Sequence, residues 1–126
     1  MAFPPCHASF HCPCLQEAWI VGDKIGMDLK KNPPYVQDAA GLRAQLEESL
    51  ARLGTTYVDI LYLNRPDPRV PIEDTWRVMA EFQREGKAKY IGLSEASPEE
   101  LRRAHAVAPV TAIQQVGAEG GLCACC

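Results

Sequence analysis

Between Cys14 and Cys123 the sequence contains no cysteine. A disulfide framework spreads its bridges through the fold, so this chain is not held together by one. All six cysteines sit at the ends: Cys6, Cys12 and Cys14, then Cys123, Cys125 and Cys126. His7 and His11 give the first group some metal-ligand chemistry, but the paired C-x2–4-C spacing of a structural zinc site is missing. Free-thiol tails without metal are expected, and a Cys/His metal-binding interaction module is the alternative. No apolar run approaches the ~18 residues of a membrane span. The net charge is only −3, with no basic stripe, which argues against nucleic acid and anionic membranes as partners. Met1–Pro5 lacks the basic start and apolar core of a signal peptide, so a cytoplasmic location is expected. The phosphate-binding turns G-x-G-x-x-G and G-x-x-x-x-G-K-[ST] are absent too.

What is present is ordinary globular material. A chain of 126 residues suits a single domain, and 47% hydrophobic content is enough for a core. The central stretch is Tyr57–Leu63, an apolar, β-branched and aromatic run that reads as a buried strand. It ends in Asn64 and Arg65, followed by Pro66 and Pro68, which cannot donate to a sheet ladder.

Other elements alternate around it. Trp19–Gly22 reads as a short strand ending in Asp23-Lys24. Asp38 can cap a helix whose buried face is Ala39, Leu42, Leu46, Leu50 and Leu53, and Gly54 can close it. Ile72, Trp76, Met79 and Phe82 mark a second helix between Pro71 and Gly86. Tyr90–Leu93 reads as a strand ending in Ser94-Glu95. Ser97, Pro98 and Glu100 form a capping box ahead of Leu101, Ala104 and Ala108. Val110–Ile113 is a last strand, ending in Gln114.

The order β-α-β-α-β-α-β implies parallel strands with right-handed crossovers. This is an α/β chain, either an open doubly wound sheet or an arc of a (β/α)8 barrel of the TIM type. The missing phosphate-binding turns favour the incomplete barrel. Residues 18–115 form it, between an irregular Cys/His-containing tail at 1–17 and an irregular Cys-rich tail at 116–126. If the strands are parallel neighbours, the tips Asp23-Lys24, Asn64-Arg65, Ser94-Glu95 and Gln114 share one rim. Rims of that kind hold ligands in such folds.

Leu50–Tyr62 (LARLGTTYVDILY) resembles the helix-to-strand junction of the aldo-keto reductases, and Glu85–Ser97 (EGKAKYIGLSEAS) resembles the next one. Arg103–Val107 and Thr111–Gln114 continue the likeness, which runs from about Trp19 to Gln114. The resemblance implies a (β/α)8 barrel binding NADPH at its C-terminal rim, of which this chain covers strands three to six. It implies hydride transfer to a small aldehyde or ketone, giving an alcohol. The family uses Asp, Tyr, Lys and His, with Tyr as general acid beside an ammonium that lowers its pKa. By that likeness Lys24 stands at the catalytic lysine and Asn64 at the histidine. Ser94 and Glu95 stand at the pair that holds the nicotinamide amide, and Gln114 at the glutamine that does the same.

The departures are specific. Residues 1–22 contain no Tyr and no Asp, so neither of those two catalytic residues can be placed. An Asn64 amide orients a carbonyl but does not titrate near neutral pH. The chain alone is therefore expected to be inactive, with a partner- or cofactor-binding fragment as the alternative reading. A full barrel takes about 250 residues. Two strand edges, at Trp19–Gly22 and Val110–Ile113, should then be open, and Ile60, Tyr62, Ile91 and Leu93 should face a missing wall. Self-association through those edges is expected.

Overall fold

A computed structural model describes residues 20–116. Helix starts and stops follow local chemistry. In α1 (Ala39–Leu53) the Asp38 side chain accepts from the Gly41 N–H at 2.8 Å, and Gly54 closes the helix at φ 66°. Helix α2 (Ile72–Arg84) carries Glu73 and Asp74 in its first turn and Arg84 in its last, matching the helix dipole. Helix α3 (Pro98–Val107) begins in the expected capping box: Ser97 Oγ accepts from the Glu100 N–H, and the Glu100 carboxylate accepts from the Ser97 N–H.

Between them lie β1 (Gly22–Ile25), β2 (Val58–Asn64), β3 (Ala88–Ser94) and β4 (Ala112–Gln114). They form one sheet in chain order, and every neighbouring pair is parallel. The helices pack on one face. There Leu61, Leu63, Ile91 and Leu93 are fully buried in one cluster with Leu42, Leu46, Trp76, Met79 and Phe82. Burying each such side chain contributes roughly 1.5–3 kcal/mol. Trp76 also donates its indole N–H to the Ala108 carbonyl at 2.9 Å, which ties α2 to the end of α3. The arrangement is a four-stranded βα arc and fits part of a (β/α)8 barrel.

Several expectations are corrected. The first strand is Gly22–Ile25 and not Trp19–Gly22; Trp19 lies outside the described residues. Pairing decides this: Gly22↔Ile60 through Ile25↔Leu63 brings Ile25 into the core and leaves Ile20 86% exposed. A Cβ on Gly22 would meet Ile60 Cγ2 at 3.2 Å, so a side chain there would crowd Ile60. The last strand is Ala112–Gln114 and not Val110–Ile113. Leu53, the last residue of α1, is 44% exposed. Ile91 and Leu93 face the helices; the opposite face carries Ile60, Tyr62 and Tyr90. Parallel partners share a face, and Leu61↔Ile91 and Leu63↔Leu93 are the buried pairs.

Among the described residues no helix is long and apolar enough to cross a membrane, and no group of three or more His, Cys, Asp or Glu could hold a metal. The terminal cysteines, His7 and His11 lie outside those residues.

Candidate functional site

Three of the sequence-selected residues stand side by side. Asn64 ends β2, Ser94 ends β3 and Gln114 ends β4, and the register is Asn64↔Ser94↔Gln114. Register partners in a parallel sheet point the same way, and this row belongs with Tyr62 and Gly92, away from the helix-facing leucines. The row offers two amides and a hydroxyl. Each of these groups both donates and accepts, so together they suit a flat, uncharged carboxamide or carbonyl. The row itself holds no cationic side chain for a phosphate.

Just past the row the chain turns sharply. Arg65 has φ 54° and Glu95 has φ 57°, left-handed values that are uncommon for residues other than glycine. Gly26 takes φ 103° after β1. The strained corners at Arg65 and Glu95 persist where surrounding bonds over-determine them, whereas Gly26 adopts its angle freely. Here a glutamine holds each corner. Gln45 accepts from the Gly26 N–H at 2.7 Å and donates to the Met27 carbonyl at 2.9 Å. Gln37, only 6% exposed, donates to the Arg65 carbonyl at 2.5 Å. Gln115 donates to the Ala96 carbonyl at 2.6 Å. Sequence reasoning missed these clamps. Gln37 precedes a cap and Gln45 lies within a helix, and nothing local marks either as a rim contact.

The loop after β2 is pinned electrostatically. The Arg69 guanidinium grips buried Asp67 at 2.7 and 2.9 Å and holds its carboxyl below the usual range. Arg69 also lies 5.7 Å from the Tyr35 ring centre. At the other end of the sheet, Asp59 accepts from the Val21 N–H at 2.9 Å and pairs with Lys89 at 2.8 Å. The Lys89 bond, helped by Val21, lowers the Asp59 pKa. This clip sets where β1 enters the sheet.

The other two selected residues are placed differently. Lys24 lies inside β1 and not beyond its tip, in register with Tyr62 and two residues short of the Asn64 row. The later start of β1, at Gly22, absorbs it. Lys24 also borders a cleft of about 510 Å³ between β1, the following loop and α1, shared with Lys30, Lys31 and Arg52. Glu95 follows the row, and its carboxylate accepts from the Val116 N–H at 2.7 Å while its N–H donates to the Gln114 carbonyl at 2.9 Å. Glu95 thus fastens the exit of β4 to the corner of β3. Tyr62 went unselected; it shares the Lys24 rung, and two-residue spacing back from Asn64 was the available signal.

The sequence model of the aldo/keto reductase family matches residues 16–116. The chain is 47% identical over 88 residues to the protein named "Probable aldo-keto reductase 1" of Glycine max, covering 70% of this chain and 24% of that one. It is 52% identical over 86 residues to an aldo-keto reductase of Strobilurus tenacellus, covering 68% of this chain and 24% of the other. Among solved structures it is similar to a glycerol dehydrogenase from Gluconobacter oxydans: TM-score 0.67, 27% identity, 73% of this chain and 30% of that one. A thermostable aldo-keto reductase in complex with epalrestat gives a TM-score of 0.60 at 34% identity, over 63% of this chain and 30% of that one. The chain spans about a quarter of the length of the curated relatives it matches.

Proposed function

This chain belongs to the aldo/keto reductase family, and on that premise we propose that it forms the nicotinamide-facing rim of an NADPH-dependent carbonyl reductase acting on a small aldehyde or ketone. The observation that carries the reading is the Asn64↔Ser94↔Gln114 row. Its donor set fits the carboxamide end of the cofactor and not the phosphates. Ser94 and Gln114 would grip the amide and fix which ring face is presented, with the Glu95 corner holding both strands in step. When bound, NADPH supplies the hydride that reduces the carbonyl carbon. Asn64 would donate to the carbonyl oxygen and stabilise the charge that develops there. It would not deliver a proton, because its amide does not titrate near pH 7. Lys24 is an ammonium that could favour the phenolate of a neighbouring tyrosine.

Asn64 at that position also favours a second reading, that the 126-residue polypeptide binds but does not turn over unless a tyrosine-bearing segment joins it. Titrating the chain with nicotinamide mononucleotide should shift the amide resonances of Asn64, Ser94 and Gln114, and Ser94→Ala should weaken the effect. Joining a tyrosine-bearing N-terminal βα segment should then give carbonyl-dependent NADPH oxidation. Shifts without turnover would leave the second reading; no shift at any of the three positions sinks both.

A further inference from the structure

Among the described residues, two that are not glycine hold left-handed backbones: Arg65 after β2 and Glu95 after β3. The corresponding corner after β1 uses Gly26, which adopts such an angle without strain. A strained residue where glycine would be relaxed points to work done by its side chain. Glu95 does structural work, because its carboxylate accepts from the Val116 N–H at 2.7 Å. The Arg65 side chain does none. Its backbone is pinned on both sides: the N–H donates to the Ser94 carbonyl at 3.2 Å, and the carbonyl accepts from buried Gln37. Its guanidinium is exposed, with no hydrogen bond or ion pair among the described residues.

The carboxylates around this corner are engaged elsewhere. Both Asp67 oxygens accept from Arg69. The corner lies in the middle of the arc, and the loops on either side of it are both described. In the first, Asp28 accepts from the Lys30 N–H and Asp38 caps α1. In the second, Glu95 turns to Val116.

We propose that Arg65 is a specificity-determining residue of this rim, and that the carbonyl substrate carries an anionic oxygen group, a carboxylate or a phosphate, which the guanidinium grips. This assignment rests on the carbonyl-reductase reading and names the substrate class for it. Arg65 follows Asn64 directly, and consecutive Cα atoms lie about 3.8 Å apart. One small molecule therefore spans both groups, its carbonyl oxygen at the Asn64 amide and its anion a few bonds away. The planar guanidinium fork matches either anion with two parallel hydrogen bonds.

The test is an NMR titration of the isotope-labelled 126-residue chain with nicotinamide mononucleotide present, read at the Asn64 side-chain amide and the Arg65 Nε–H. The probes share one framework: para-carboxybenzaldehyde, para-formylphenyl phosphate and the neutral methyl para-formylbenzoate. At least one anionic aldehyde should bind about tenfold or more tighter than the neutral ester. The tighter of the two identifies the anion, and added salt should narrow the gap. Arg65→Gln should bring the ratio to about one. Arg65→Lys should keep part of it, because an ammonium retains the charge and loses the fork. The guanidinium has no partner in the fold, so the far-UV circular dichroism of both variants should match the parent. Equal binding of anionic and neutral aldehydes, with the mononucleotide still shifting Asn64, Ser94 and Gln114, overturns this assignment and leaves the reductase reading standing. A preference for the anion that survives Arg65→Gln overturns it too, because another cation then carries it. No shift at the row with the mononucleotide removes the reductase reading and this assignment together.

Discussion

Gly92 is the position where one methyl group should do the most damage to the rim. It sits in β3 between Tyr62 and Ala112, two residues before Ser94. A Cβ there would lie 2.7 Å from Tyr62 Cδ1 and Cε1 and 2.9 Å from the Ala112 carbonyl oxygen. The Tyr62 ring can rotate away, but the Ala112 oxygen belongs to the backbone of a three-residue strand. Gly92→Ala must therefore push β4 outward and loosen the Gln114 end of the row. Overpacking of this kind costs about 1–3 kcal/mol. The lower unfolded-state entropy of alanine offsets about 0.4–1 kcal/mol of that. The net loss should be about 1–2 kcal/mol, or about 1 M in the urea midpoint for a chain of this size. A double-mutant cycle with Tyr62→Ala should return a coupling of at least about 0.5 kcal/mol, because removing the ring relieves part of the clash. Gly86→Ala is the control. Gly86 has φ 75° with nothing within 4 Å of its missing Cβ, so its cost of about 1–2 kcal/mol is backbone strain alone, uncoupled to Tyr62. Wild-type stability in Gly92→Ala, or zero coupling to Tyr62, would refute the close-approach argument.

Two further outcomes follow from the clamps and the ion pairs. Gln37→Ala strands the Arg65 carbonyl at its left-handed corner and frees Thr75 Oγ1, which now donates to Gln37 at 3.4 Å. It should cost about 1–3 kcal/mol in urea unfolding and speed amide exchange across Arg65–Asp67. Stability should also fall in acid. Arg103 holds the Glu73 carboxyl, and Arg43 the Glu85 carboxyl, at about 2 against the usual 4.5. Arg69 and Lys89 likewise lower Asp67 and Asp59. A depressed folded-state pKa contributes stability that is complete above the unfolded value and fades as pH falls through the folded one. Melting temperature should therefore hold above about pH 5 and decline toward pH 2, and added salt should shrink the slope because the pairs lie near the surface. A melting temperature flat across that range would contradict these pKa directions.

Local chemistry was enough for much of the architecture. Asp38, Gly54, Ser97 and Glu100 announce helix ends through bonds made within a few residues, so they are legible without neighbours. The alternation of three-to-four-residue stripes with short apolar runs declares parallel βα units, and Asn64, Ser94 and Gln114 stand out as strand tips for the same reason. The sheet register was not legible. The apolar run ahead of it makes Lys24 a strand tip, but pairing with Tyr62 places it within β1. Alternation alone lets Ile91 and Leu93 face inward, but their partners Leu61 and Leu63 face the helices.

The sequence by itself thus determined the elements, their order, their parallel direction and which residues end β2, β3 and β4. Tertiary structure alone decided which face each strand residue takes, where β1 and β4 begin, that Gln37, Gln45 and Gln115 brace the rim, and that Glu95 turns to the Val116 N–H. The reason is physical. Caps and periodicities are satisfied within one turn of chain, whereas a strand is defined by backbone bonds to a distant partner, and a slip of one residue there exchanges its two faces.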